Sequence, residues 1–163
     1  MTYYDILRNI KTVDEVNRLV SEIDILLDSL FKADTNAFEK ALNSISVVTS
    51  QALKDTFLKN NANLGNYAMI KDLLIKLKEE LQKFKVLKLS LAFEVSEGSI
   101  DNLFAWVLTN LGSGIILDIK EDKKIIGGAS IEFEGKYKDL TLKKKLEEVF
   151  GSKREEILTQ MSS

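Results

Sequence analysis

Val13, Val16, Val20, Ile23, Leu27 and Leu30 follow one another at steps of three and four residues, and Tyr67, Ile70, Leu74, Leu77, Leu81 and Phe84 repeat that rhythm. Such spacing places each set on one side of an α-helix. Thr12 precedes the first stripe with Glu15 three residues on, the pattern of a capping box in which hydroxyl and carboxylate satisfy each other's free backbone N–H groups. Asn66, after Gly65, is the natural N-cap of the second. Between them, Ala37, Phe38, Ala41, Leu42 and Ile45 form a shorter apolar face, and Val48, Ala52, Leu53 and Phe57 form another. A short helix also fits before Asn9. The stripes are too short for a free-standing coiled coil but wide enough to bury against one another, so an all-helical bundle is expected.

The rhythm changes after Phe84. Leu87, Leu89, Leu91 and Phe93 alternate with Lys88, Ser90 and Ala92, the period of a strand. Ser96 or Ser99 then caps a helix with Ile100, Leu103, Phe104, Val107 and Leu111 on its inner face, stopped by Gly112. Gly114 to Ile119 reads as a second strand, and Lys120 to Lys124 as a polar turn. Ile125 to Phe133 is predicted as a third strand, turned by Gly135 into a short fourth at Lys136 to Asp139. Thr141 or Asp139 caps a last helix with Leu142, Leu146, Val149 and Phe150 inward and Gly151 at its end. The fold class is therefore α+β: a helical bundle over residues 1–85, a small mixed domain of order β-α-β-β-β-α over 86–151, and a tail at 152–163 that is frayed or disordered. Trp106, the only tryptophan, falls off the main stripe of its helix; burial at the core's edge is preferred over an exposed anchor.

Composition removes whole classes of chemistry from this picture. The 163 residues include no cysteine, histidine or proline. Thiol nucleophiles, disulfides, zinc-finger ligand sets and imidazole bases are excluded, which leaves only carboxylates, lysines and tyrosines for an enzyme acting, for example, through Asp118 or Asp122. Basic and acidic residues number 23 and 25, with 12 of each up to Lys85 and 11 against 13 beyond it. Neither half has the basic excess of a nucleic-acid binder. No eighteen apolar residues run together, and Met1-Thr2-Tyr3-Tyr4-Asp5 opens without a basic n-region and apolar h-region, so neither a secretory leader nor direct membrane insertion is expected. Asp118, Glu121 and Asp122 lack calcium-loop spacing and read as a solvated turn. Gly127-Gly128 precedes a strand, whereas a phosphate cradle needs glycines between a strand and a helix; by itself the pair reads as a bulge or a close backbone approach. Catalytic, metal-binding and cofactor-binding residues are accordingly expected to be none.

The segment from Asp122 to Glu147 resembles the C-terminal signature of the delta subunit of F-type ATP synthases, the oligomycin-sensitivity-conferring protein family. The matching positions are Asp122, Ile126, Gly127, Gly128, Ile131, Lys136, Asp139, Thr141 in place of serine, Leu146 and Glu147, in register without a gap. Lys123 stands where the family usually has proline and Leu140 where it often has glycine. Upstream, Leu89 to Leu117 follows the family's order of elements, and the helical half resembles the family's N-terminal domain in architecture, trimmed at its start. The E-type peripheral-stalk protein of vacuolar and archaeal ATPases has a similar element and is the alternative, together with an unrelated interaction module. That family brings a long N-terminal coiled coil, which this chain lacks.

The resemblance implies a non-catalytic stator subunit, one copy per complex, lying at the cytoplasmic face of the membrane. It implies a bundle that receives the N-terminal helix of an alpha subunit and an α+β domain that holds the C-terminal region of b-type stalk chains. Asp122, Ile126, Gly127, Gly128, Asp139, Thr141 and Leu146 are then the structural motif. Leu19, Leu26, Met69 and Leu73, beside the inward stripes, are expected as exposed groove lining. Lys143, Lys144 and Lys145 crowd the first turn of the last helix, where the dipole disfavours cations, and with Val149 they are expected to meet an acidic stalk partner.

Overall fold

A computed structural model of the chain describes residues 4–32, 34, 36–63 and 65–148. It divides between Phe84 and Lys85 into two compact units. The fold is α+β, with helices first and then a four-stranded mixed sheet. The expected tail at 152–163, together with Val149, Phe150 and Gly151, lies outside the described residues.

The first unit contains α1 (Tyr4–Arg8), α2 (Val13–Ser29), α3 (Ala37–Ser44), α4 (Val47–Lys59) and α5 (Tyr67–Leu81). The capping box of α2 is formed: Thr12 Oγ1 accepts the Glu15 N–H at 3.3 Å, and Glu15 Oε2 accepts the Thr12 N–H at 3.1 Å. Ser46 caps α4 by accepting the Thr49 N–H, and Asn66 caps α5 by accepting that of Met69, each at 3.2 Å. Ile23, Leu26, Leu53, Phe57, Ile70 and Leu74 are among the side chains fully withdrawn from water. Each contributes roughly 1.5–3 kcal/mol by burial. The rings of Phe38 and Phe57 meet at 6.3 Å, which ties α3 to α4.

Two inward faces differ from those expected. On α2 the buried positions are Leu19, Glu22, Ile23, Leu26 and Ser29, while Val13, Val16, Val20 and Leu27 flank them half-buried. The helix is apolar over so wide an arc that periodicity alone leaves its centre open by one position. On α4, Val48 is 81% exposed, and the inward residues are Ser50, Leu53, Thr56 and Phe57. Two small hydroxyl residues thus join the buried face, and Val48, expected on it, is left outside. The Thr56 hydroxyl donates to the Ala52 carbonyl at 2.8 Å, which removes the cost of burying it.

The second unit is a sheet of order β2-β1-β3-β4, made of β1 (Lys85–Leu91), β2 (Ile115–Glu121), β3 (Ala129–Phe133) and β4 (Lys136–Asp139), with α6 (Glu97–Asn110) between the first two. β1 runs parallel to β2 and antiparallel to β3. Ser96, not Ser99, is the N-cap of α6, and Gly112 takes the left-handed conformation after its end at φ +96°. Leu87, Leu89, Phe104, Val107, Ile115 and Leu117 form the core, with Ile100, Leu103, Ile119, Ile131 and Phe133 packed around it. Glu134 and Gly135, at φ +49° and +75°, make the two-residue hairpin turn from β3 to β4.

The third strand begins at Ala129, not Ile125. Asp122 starts a turn, its carboxylate accepting the Lys124 N–H at 2.9 Å and its carbonyl the Ile125 N–H at 3.0 Å. Gly128 then sits at φ +89°, where no strand can continue. β-Branched isoleucines at 125 and 126 favour a strand locally, but the turn overrides them. Residues 142–148 are helical, and all are exposed, Leu142 and Leu146 included, so the expected inward placement of those two leucines is corrected.

Candidate functional site

The residues singled out around the glycine pair come together in a backbone knot. The Asp122 N–H donates to the Leu91 carbonyl at 2.8 Å, fastening the turn to the end of β1. From the other side, the Leu142 N–H reaches the Gly127 carbonyl and the Leu140 N–H reaches the Ala129 carbonyl, each at 2.8 Å. The glycine segment is thus held to the stretch that links β4 to the following helix. A Cβ on Gly128 would lie 2.4 Å from the Leu140 carbonyl oxygen and 3.1 Å from the Thr141 Cα. Position 128 therefore requires glycine both for its φ and for this approach. A Cβ on Gly127 would meet only the Leu142 side chain at 3.6 Å, an ordinary contact.

Asp139 and Thr141 close the knot together. The Asp139 carboxylate accepts the Thr141 N–H at 2.8 Å, and Thr141 Oγ1 in turn accepts the Lys144 N–H at 3.3 Å as the cap of the helix. The Thr141 N–H holds the Asp139 carboxyl below the usual carboxylate range, helped by the Thr141 hydroxyl and by the charges of Lys144 and Lys143. A carboxylate kept ionised in this way anchors donors and is unsuited to giving up a proton at neutral pH. A cavity of about 200 Å³ beside it is lined by Asp122, Lys124, Ser130, Tyr137, Asp139 and Thr141 among others. Ile126 is 80% exposed and Leu146 also faces solvent, so of the motif these two take no part in the knot's interior.

The expected groove lining is placed differently. Leu26, Leu73 and Leu19 are 0%, 1% and 6% exposed, so their expected exposure is corrected: they are bundle core, because the inner faces of α2 and α5 are centred on them. Met69 is half-buried. Leu19 borders a cavity of about 140 Å³ that is also lined by Ile6, Ile10, Val48 and Ala52 between α1, α2 and α4. A larger cleft of about 550 Å³ lies at the other end of α4, against Phe57, Leu58 and Ala62. Lys143, Lys144 and Lys145 are exposed, with Lys143 3.9 Å from Glu147, and Val149 lies outside the described residues. Asp118 pairs with Lys120 at 3.2 Å, and among the described residues no group of three or more acids is gathered to hold a metal ion.

Two features escape a reading of the sequence alone. Glu22 is buried on α2, where its Oε1 accepts the Ser46 N–H at 3.0 Å and so pins the start of α4; its Oε2 has no hydrogen-bond partner among the described residues. Its position one residue before Ile23, inside the true inner face, was the available signal. Trp106, expected to be buried, is 57% exposed.

What these elements define is a two-unit α+β protein whose marked residues serve backbone architecture. The family model described as ATP synthase delta (OSCP) subunit matches residues 6–150, and the chain belongs to that family. No curated protein was found to match it. The family is one of structural subunits of the F-type ATP synthase peripheral stalk, which work in the complex with alpha and b subunits, peripheral to the membrane. Among the described residues no helix is long and apolar enough to cross a membrane.

Proposed function

We propose that this chain is the stator adaptor of a rotary ATP synthase, joining the catalytic head to the peripheral stalk at the cytoplasmic face of the membrane and resisting the drag of the rotor. The observation that carries this reading is the family match across residues 6–150, which spans both compact units. The helical unit receives the amphipathic N-terminal helix of the alpha subunit in a groove, and the sheet unit holds the C-terminal region of the b-type chains. One copy serves each complex. The protein's task is to remain bound under load, and no bond is made or broken.

The apolar clefts that flank α4 support the first contact. Val47 and Val48 at its start and Leu58 near its end are exposed, which leaves α4 with apolar surface outside the bundle core. The test uses the full chain with the alpha subunit's N-terminal peptide and, separately, the b subunit's C-terminal region, both from the same genome. Saturable binding of both, each without displacing the other, is the expected result. A folded full chain that retains neither at tens of micromolar sinks the reading.

A further inference from the structure

Only Ile45 and Ser46 separate α3 from α4, and Ser46 gathers the bonds that hold the first turn of α4. Its N–H donates to Glu22 Oε1 on α2 at 3.0 Å, across 24 positions of the chain. Its hydroxyl accepts the Thr49 N–H at 3.2 Å, and its carbonyl accepts the Ser50 N–H at 2.9 Å. α4 has no acid of its own in that turn, so Glu22 brings the carboxylate that favours a helix amino end. The start of α4 is thus tied to α2 through one side chain.

That tie is made at a cost. Glu22 is only 8% exposed, and its Oε2 is buried without a donor from any described residue. A carboxylate has room for several hydrogen bonds, and the chain supplies one. Taking the charge out of water costs more than one charge-assisted bond and a helix end contribute. When the first turn of α4 lifts, both oxygens regain water and the penalty disappears. The closed turn is therefore separated from an open one by less free energy than the rest of the bundle, which has no such group.

The same turn forms the wall of a cavity. Val48 and Thr49, with Ala52 one turn on, face Ile6, Ile10 and Leu19 around about 140 Å³. That space admits a single apolar side chain, whereas an amphipathic helix docks through several anchors in a row. Lifting Val48 and Thr49 lengthens the cavity into a groove along α1 and α2.

We propose that Glu22 is a latch, whose buried carboxylate holds the first turn of α4 shut while keeping it easy to open, and that the opened turn admits the helix of the alpha subunit. This rests on the stator reading and adds how the helical unit gains its groove. Glu22 is a positioning residue, because it acts through α4.

Amide hydrogen exchange on the folded full chain, followed by NMR at one fixed pH, reads the latch. The Ser46, Thr49 and Ser50 amides are expected to exchange together and faster than those of Leu73, Leu74 and Leu77 in α5. Glu22→Gln keeps the acceptor and the shape without a buried charge, and is expected to slow the three amides about fivefold or more. Glu22→Asp keeps the charge but draws it back from Ser46, and is expected to speed them. A side chain that served only as packing would loosen the turn in both variants. Because only the opened fraction binds, Glu22→Gln is expected to weaken binding of the alpha subunit's N-terminal peptide by about the factor by which exchange slows. Binding of the b subunit's C-terminal region stays unchanged. Should Glu22→Asp loosen α5 as well, Glu22→Gln alone decides.

If Glu22→Gln speeds exchange at the three amides or leaves it within about twofold, as a carboxylate hydrated in place would, the latch is wrong. Slower exchange with unchanged alpha binding overturns the admission step and leaves the stator reading standing. If the folded wild-type chain binds neither peptide, the stator reading falls and the admission step with it, while the exchange rates still judge the latch.

Discussion

Gly128→Ala isolates the steric requirement at the knot, and Gly127→Ala is its internal control. At position 128 an alanine must adopt φ +89°, which costs about 1–2 kcal/mol for a residue with a Cβ. Its methyl would also sit 2.4 Å from the Leu140 carbonyl oxygen, which is backbone and cannot swing aside as a side-chain end could. The 140–141 segment must move, and the hydrogen bonds from Leu140 to Ala129 and from Leu142 to Gly127 are the ones that stretch. At about 1 kcal/mol net for each, the loss rises to about 3–4 kcal/mol, less about 0.4–1 kcal/mol for the stiffer unfolded chain. In a unit of this size about 3 kcal/mol lowers Tm by roughly 12–24 °C. Gly127→Ala, meeting nothing closer than 3.6 Å, is expected to stay within about 0.5 kcal/mol of wild type. Calorimetry of the full chain gives the shift, and amide hydrogen exchange at Leu140 and Leu142 locates it. If Gly128→Ala melts within about 2 °C of Gly127→Ala, roughly the scatter expected of a neutral surface change, the steric account is wrong.

Three further predictions concern other sites. Leu26→Ala is expected to destabilise the bundle by about 2–5 kcal/mol because Leu26 is fully buried, whereas Val48→Thr on the exposed side of α4 is expected to change stability by under about 0.5 kcal/mol; equilibrium urea unfolding separates them. Thr12→Ala removes the hydroxyl half of the capping box and is expected to cost about 1 kcal/mol, read by the same assay. Because the folded state depresses the Asp139 pKa below about 3.8, its contribution to stability is present above that pH and is lost as pH falls through the folded value. Asp139→Asn is therefore expected to be less stable than wild type at neutral pH, with the gap narrowing in acid; a gap that stays constant from about pH 7 to about pH 2 contradicts the linkage.

How far the fold could be read from residues alone depended on whether local and tertiary preferences agreed. Thr12 with Glu15 declares the start of α2 because both partners of the capping box lie within one turn. Lys136 to Asp139 could be bounded because Gly135 marks the hairpin on one side and Asp139 with Thr141 marks a cap on the other. The centre of the α2 face could not be read, since valines, isoleucines and leucines spread over a broad arc of it and the choice is made by α3 and α5 packing against it. Ile125 and Ile126 misled for the opposite reason: their strand preference is real, but Asp122 and Gly128 impose turns at both ends. The glycine pair was legible as a motif, yet which glycine is indispensable depends on the carbonyl of Leu140, well along the chain on the far side of β4. Trp106 shows the same boundary, because one aromatic off a helical stripe says nothing of whether a neighbour covers it.

β1 begins immediately after the short stretch that follows α5, and it is an interior strand, bonded to β2 on one edge and β3 on the other. Any pull passed along the polypeptide from the helices therefore enters the sheet through its best-fastened strand. Drawn along its own axis, β1 cannot be peeled off one bond at a time. Its bonds to β2 span Lys85 to Leu91 and those to β3 span Lys88 to Leu91, so sliding it would shear both ladders at once. β4, held on one edge over only four residues, would unzip under far less tension. The order of strands thus makes the point of attachment mechanically strong and leaves the compliance at the far side of the sheet.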